Sequence, residues 1–302
     1  LNIGDYSNVK VFKEASTYPI TTLFQKSPNN HSLTSFTFID EYQSLIYRKY
    51  RTQDLFSLNE YILGFVLSDK YDIVSKIISQ SVPLGKCGVI NATSTAKEAD
   101  EFNAFINENE GFKLINTGTI DKYSTTWGVS FLVDKKKRYL NPYLPKSELA
   151  LGKNRFDLYS KPKIIFAKIA ITPEAFFDEE GDYASVNTNC IHSFSNEYRP
   201  EYILGWVNSK LFKYLFECFF DGLKMSGGYL LYSAPNLLNT YIKPAQINDQ
   251  NEIAALVRMR INSQRNDKID FMKNLENQID ELFYQLYNIT KEEIKIIKDS
   301  IK

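Results

Sequence analysis

Only two histidines, His31 and His192, offer a base or a metal ligand at neutral pH, and both fall in polar stretches with no partner at ligand spacing. They are expected at the surface. Cys87, Cys190 and Cys218 are odd in number and far apart, without a CxxC pair, so neither a disulfide framework nor a zinc cluster is expected. Glu293-Ile-Lys295 has the letters of a nuclease motif but lacks the accompanying carboxylate pair. It also sits where Thr290 and Glu293 form a capping box, which explains it as helix chemistry. The residues therefore predict no catalytic and no metal site in this chain.

The chemistry that is present is that of contact. Asn116, Thr117, Asp121, Lys122 and Tyr123 place donors, acceptors and a planar ring on a loop kinked at Gly118, the mixture that reads base edges, although turn chemistry accounts for Asn, Gly and Asp equally well. Lys135, Lys136, Lys137 and Arg138 form a run suited to clamping phosphates or to a solvated hairpin tip. Lys168 interrupts an apolar strand, so its ammonium must reach either solvent at a sheet edge or an anion. Asn91 and Thr93 lie in one small polar loop, and Lys224 and Ser226 in another whose glycines admit a close backbone. Lys210 reads as a phosphate contact or a snorkelling side chain on a helix.

These groups sit in a chain of 302 residues with a formal net charge of zero. Nucleic-acid binding usually leaves a basic excess, so any such surface here must be local. Charge is unevenly placed, with basic residues at Arg48, Lys49 and Arg51 and acidic ones at Asp178, Glu179, Glu180 and Asp182. The abundant Phe and Tyr suit packed sheets first and base stacking second. No stretch approaches the roughly 20 apolar residues of a membrane span. The cysteine usage fits a reducing cytoplasm, and the first residues resemble neither a signal peptide nor an initiating Met, as in a fragment.

The elements that must position these residues follow from periodicity. Val9 to Phe12 and Tyr18 to Gln25 read as short strands, and residues 54 to 80 carry a helical pattern through Leu63, Val66, Leu67, Ile73 and Ile77. From Val82 to Pro244, short apolar runs alternate with Gly, Pro, Asn and Asp, which predicts a mainly β region. Ile164 to Ile171 is its clearest strand, Asp178 to Asp182 is expected to close a hairpin through Gly181, and Glu201 to Phe220 is helical. Beyond Pro244, Met272, Leu275, Ile279, Leu282 and Leu286 mark one face of a long amphipathic helix that stops at Asn288.

Four strings, Val11 to Ile20, Ile115 to Tyr123 with Trp127-Gly128, Lys161 to Phe166 with Asp178 to Asn189 and Val207 to Leu211, and Ile279 to Ile297, together resemble one family. It is the TaqI-like adenine-specific DNA methyltransferases of type II restriction-modification systems, whose C-terminal specificity domain reads the target sequence. The resemblance implies that Ile115 to Tyr123 is a first recognition loop. The family's cofactor loop and Asn-Pro-Pro-Tyr/Phe motif are missing, since Asn141-Pro142-Tyr143 lacks the second Pro and lies in a lysine-flanked loop.

The expectation is an α+β chain: residues 1–53 as the tail of a methyltransferase-like sheet, 54–81 as a helical linker, 82–244 as a β-rich target-recognition domain and 245–302 as amphipathic C-terminal helices. Its implied work in bacterial defence is to read double-stranded DNA, with Asn91, Thr93, Asn116, Thr117, Asp121, Lys122, Tyr123, Lys135, Lys136, Lys137, Arg138, Lys168, Lys210, Lys224 and Ser226 as contacts. No cofactor is expected in this chain. S-adenosylmethionine is implied for the parent enzyme, whose upstream methyltransferase domain would be the partner. The C-terminal helix either packs back or forms a homo-oligomer. The alternatives are a protein-docking module without DNA affinity and a complete enzyme with degenerate motifs.

Overall fold

Ile164, Ile165 and Phe166 are β-branched or aromatic, and this run seeds the central sheet of the computed structural model. All five residues of the strand Lys163–Ala167 are buried, so it is covered on both faces. The structure describes residues 2–6, 9, 11–12, 19–24, 33–39, 44–52, 70–220, 224–225, 227–263 and 269–301. They divide into two compact units, Leu1–Ser75 with Cys218–Gly222 and Lys76–Glu217 with Leu223–Lys302. Helices and strands are both abundant, so the chain is α+β as expected.

In the first unit four strands lie in the order Ile20–Leu23, Asn2–Asp5, Leu33–Ile39, Leu45–Arg51. Asn2–Asp5 runs parallel to Leu33–Ile39, and the other pairs are antiparallel. Phe36 is buried and meets Tyr50 edge-on. The strand expected at Val9 to Phe12 does not form among the described residues, because the Val9 N–H turns back to the Tyr6 carbonyl at 3.0 Å. Ile20–Leu23 is a strand as expected. Most of the helical pattern over 54 to 80 lies outside the described residues, which show a helix at Tyr71–Ile78.

In the second unit the central sheet has the order Ala175–Asp178, Lys163–Ala167, Thr188–His192, Val89–Ala92, all antiparallel. The strand predicted from Ile164 to Ile171 is broken at Lys168. Beyond it, Ile169–Ala170 leaves the sheet to pair with Leu230–Leu231. A second sheet places Phe112–Asn116 between Tyr143–Leu144 and Tyr183–Val186.

The hairpin expected across Asp178 to Asp182 is therefore a change of sheet. Asp178 lies opposite Lys163 in one sheet, and Tyr183 lies opposite Lys113 in the other. The Asp178 carboxylate accepts the N–H groups of Asp182 (2.9 Å) and Tyr183 (3.1 Å), curling the chain away from its own strand. Gly181 has φ +69°, and a Cβ there would fall 2.4 Å from the Ser160 carbonyl, so glycine is required by both conformation and space. The Tyr159 hydroxyl donates to Thr93 O or Ser185 O (2.9 and 3.2 Å), stitching the two sheets.

Helices Pro200–Asn208, Ile247–Ser263 and Ile269–Leu286 pack together, and Trp206 of the first is fully buried, meets Phe283 of the third, stacks on Tyr287 and donates its indole N–H to Tyr241 O at 2.9 Å. The buried stripe of the long helix is Leu275, Ile279, Phe283 and Tyr284. Met272, Leu282 and Leu286 are only half-buried, because the larger aromatic rings reach the tryptophan and rotate the packed face toward themselves. That stripe is consumed within the chain. Thr290 and Glu293 form the expected capping box, and Asn288 takes φ +54° after the helix end.

Candidate nucleic-acid interface

Asn116, Gly118 and Thr119 build a rigid turn rather than a free loop. Asn116 Oδ1 accepts Gly118 N–H and Thr119 Oγ1 accepts Asn116 N–H, each at 3.0 Å, which closes a reciprocal cap. Thr117 Oγ1 donates to Asn187 O (2.6 Å) and accepts Lys168 N–H (3.1 Å). Asn187, at φ +56°, donates its N–H to Ser94 Oγ at 3.3 Å. Asn116 Nδ2 donates to Val133 O at 3.4 Å. Ser94, Asn116, Thr117, Lys168, Asn187 and the start of a β-ribbon are thereby tied into one row. Ser94 and Asn187 were not among the expected contacts; the Asn-Thr that follows Val186 was a local turn signal that could have been read.

The ribbon pairs Leu132–Asp134 with Lys137–Tyr139. Lys135 and Lys136 form its tip with φ of +43° and +72°, the backbone a type I′ turn needs. Lys135 meets Asp100 at 2.8 Å, and this contact raises the lysine's pKa. Lys136, Lys137 and Arg138 are exposed. The ribbon of Ile169–Ala170 and Leu230–Leu231 carries the loop holding Lys224, with Gly227 and Gly228 at positive φ. Ser226 lies outside the described residues.

Other expected contacts are not brought to this row. Thr93 is buried and its hydroxyl is bonded to Thr188. Lys122 Nζ donates to Asn208 O at 2.8 Å, and burial pulls its pKa down. Tyr123 is buried at φ +64° beneath Arg260, and its hydroxyl is held well above the usual phenol range by burial. Lys210 pairs with Asp280 and Asn277 on the long C-terminal helix. Asp121 is exposed, its carboxylate accepting Lys122 N–H at 2.7 Å. The expected reading loop thus splits: residues 116 to 118 join the row, and Lys122 and Tyr123 turn into the helical layer.

Asn91 lines a separate cleft of about 500 Å³ with Glu98, Asn154, Arg155, Lys161 and His192. His192 is buried rather than at the surface, contacts Asn91 Nδ2 and Ser193 Oγ, and has a pKa lowered by burial and by Lys161 and Lys163. It sits at the end of a strand whose polar letters hid its burial. His31 lies outside the described residues. Glu98 binds Arg155 through two hydrogen bonds, which with its backbone contacts bring its pKa down to about 2.

Among the described residues no three His, Cys, Asp or Glu side chains converge as metal ligands. Glu293 is occupied by its cap and by Lys76 at 2.8 Å. Pro142 O accepts the Trp127 indole N–H (2.9 Å) and Leu114 N–H (2.8 Å), so Asn141 to Tyr143 is a structural turn. No helix among the described residues is long and apolar enough to cross a membrane.

No curated protein matches the chain. Residues 113–226, which contain the Asn116 turn, the basic ribbon, Lys168, Asn187 and the loop of Lys224, match the family model of the TaqI-like C-terminal specificity domain, and the match gives this region a DNA sequence-specificity role in a restriction-modification setting.

Proposed function

We propose that this chain is the double-stranded-DNA recognition module of a restriction-modification adenine-N6 methyltransferase. The reading is carried by one observation: within the matched region, the turn at Asn116, the backbone of Lys168 and the lysine-rich ribbon are joined by hydrogen bonds into one row. Preorganised polar turns flanked by flexible cations are what base reading and phosphate gripping require. Residues 82–244 act as the recognition domain, 1–53 as closing strands of a methyltransferase-like sheet, and 245–302 as helices that brace the domain.

Among the described residues, the Asn141 to Tyr143 turn is not arranged to receive a flipped adenine. The carbonyl of Pro142 is already spent on Trp127 and Leu114, and Glu179 and Glu201, which line a further cleft with Phe177 and Tyr198, both bind Arg258. Methyl transfer with S-adenosylmethionine is assigned to an upstream catalytic domain, and this chain positions it.

Fluorescence anisotropy with a duplex of about 20–30 base pairs, two to three helical turns, tests the reading. Binding is expected to be weak and salt-sensitive, and Lys136→Ala with Lys137→Ala should lower the slope of log affinity against log salt by about 1 for each phosphate that is no longer neutralised. Undetectable binding at low salt would overturn it.

A further inference from the structure

The ribbon has two unlike faces. Leu132 and its cross-strand partner Tyr139 point to the protein, and Leu132 is buried. The intervening pair, Val133 and Arg138, points the other way, in phase with Phe131. Val133 is 55% exposed and Phe131 46%, an unusual apolar presentation beside four cations and one carboxylate in the segment Leu132 to Tyr139. The guanidinium of Arg138 rests over the Phe131 ring, 4.5 Å from its centroid. That contact holds a rigid planar fork in place on the outer face. Asn116 anchors the same strand through Val133 O.

Resting on the DNA-recognition reading, we propose that the outer face of this ribbon enters the major groove and that Arg138 reads a guanine there, with Val133 against a neighbouring thymine methyl. A two-stranded ribbon fits the roughly 12 Å width of that groove, and the arginine fork meets guanine O6 and N7 with two N–H donors held in one plane, a geometry that a lysine's single flexible ammonium reproduces less well. Lys136 at the tip and Lys137 beside it then grip phosphate, so members of one basic run have different roles. The charge of the ribbon complements the duplex, and its apolar face would otherwise remain in water.

The test is selection from a randomised duplex library by the full 302-residue chain, followed by sequencing of bound DNA. Arg138→Lys keeps the charge, so the salt slope should stay while preference for guanine at one position falls roughly tenfold to a hundredfold. Lys136→Ala should leave the motif intact. Replacing that guanine by 7-deazaguanine, which lacks the N7 acceptor, should weaken binding of the wild-type chain more than that of the Arg138→Lys variant. A motif unchanged in Arg138→Lys, or an equal response of both proteins to 7-deazaguanine, overturns the assignment of Arg138 alone. A wild-type chain that selects no motif overturns the recognition reading, and this inference with it.

Discussion

Lys163 and Asp178 form an ion pair sealed from water, their side chains 0% and 2% exposed, at the point where the chain leaves the central sheet for its neighbour. The lysine ammonium also donates to the carbonyls of Tyr159 and Lys161, while the carboxylate holds the two N–H groups of the sheet-changing turn. Burial pulls the lysine's pKa down, so removing its anion strands a costly charge. Asp178→Ala should therefore lose about 3–5 kcal/mol of stability in urea unfolding, with the double variant Lys163→Met, Asp178→Asn, which keeps an acceptor for the turn's N–H groups, losing much less. A single-variant loss under about 1 kcal/mol would contradict this account.

This pair also marks the limit of what the sequence discloses. The run Ile164 to Phe166, the capping box at Thr290 and the stop at Asn288 were legible because each is decided by residues within one turn or one strand of each other. The turn at Asp178 was legible as a turn but not as a change of sheet, since the partner strand of Tyr183 begins near Lys113, far away in sequence. The same holds at the site. Asn116, Thr117 and the basic tip could be read as turn positions, whereas Lys122, Tyr123 and Lys210 carry the same letters but face Asn208, Arg260 and Asp280, helical partners that no local pattern announces.

Glu174 gives a pH prediction. Burial, followed by repulsion from Asp121, raises its pKa to about 7, with Lys122 acting in the opposite direction. A carboxyl whose folded pKa is raised favours the folded state while protonated, so its contribution is fully present below the ordinary value of 4.5 and lost as pH rises through about 7. Glu174→Gln should remove that decline and melt higher than the wild-type chain above neutrality, on the order of a few °C. Thermal midpoints between acid and pH 8 decide it; parallel curves for the two proteins would refute the assignment.

Lys122 and Lys168 divide between bracing the fold and the proposed grip on DNA. Lys122 donates to the last carbonyl of the helix Pro200–Asn208, a position where a cation satisfies an orphan acceptor and complements the helix dipole. Asn208 in turn holds Ala175 through both its amide atoms, at 3.0 and 2.9 Å, so Lys122 supports the edge of the central sheet. Lys168 stands instead at the break in that sheet, with its backbone N–H on Thr117. Lys122→Ala should cost about 1.5–3 kcal/mol, as for a charged hydrogen bond, while leaving the salt dependence of DNA binding as it was. Lys168→Ala should do the reverse, with stability within about 0.5 kcal/mol of the parent and a salt slope smaller by about 1. Urea unfolding and anisotropy at several salt concentrations give both quantities for each variant. A Lys122→Ala protein of normal stability with a reduced slope would place that lysine on DNA and return the whole segment from Asn116 to Tyr123 to the reading surface.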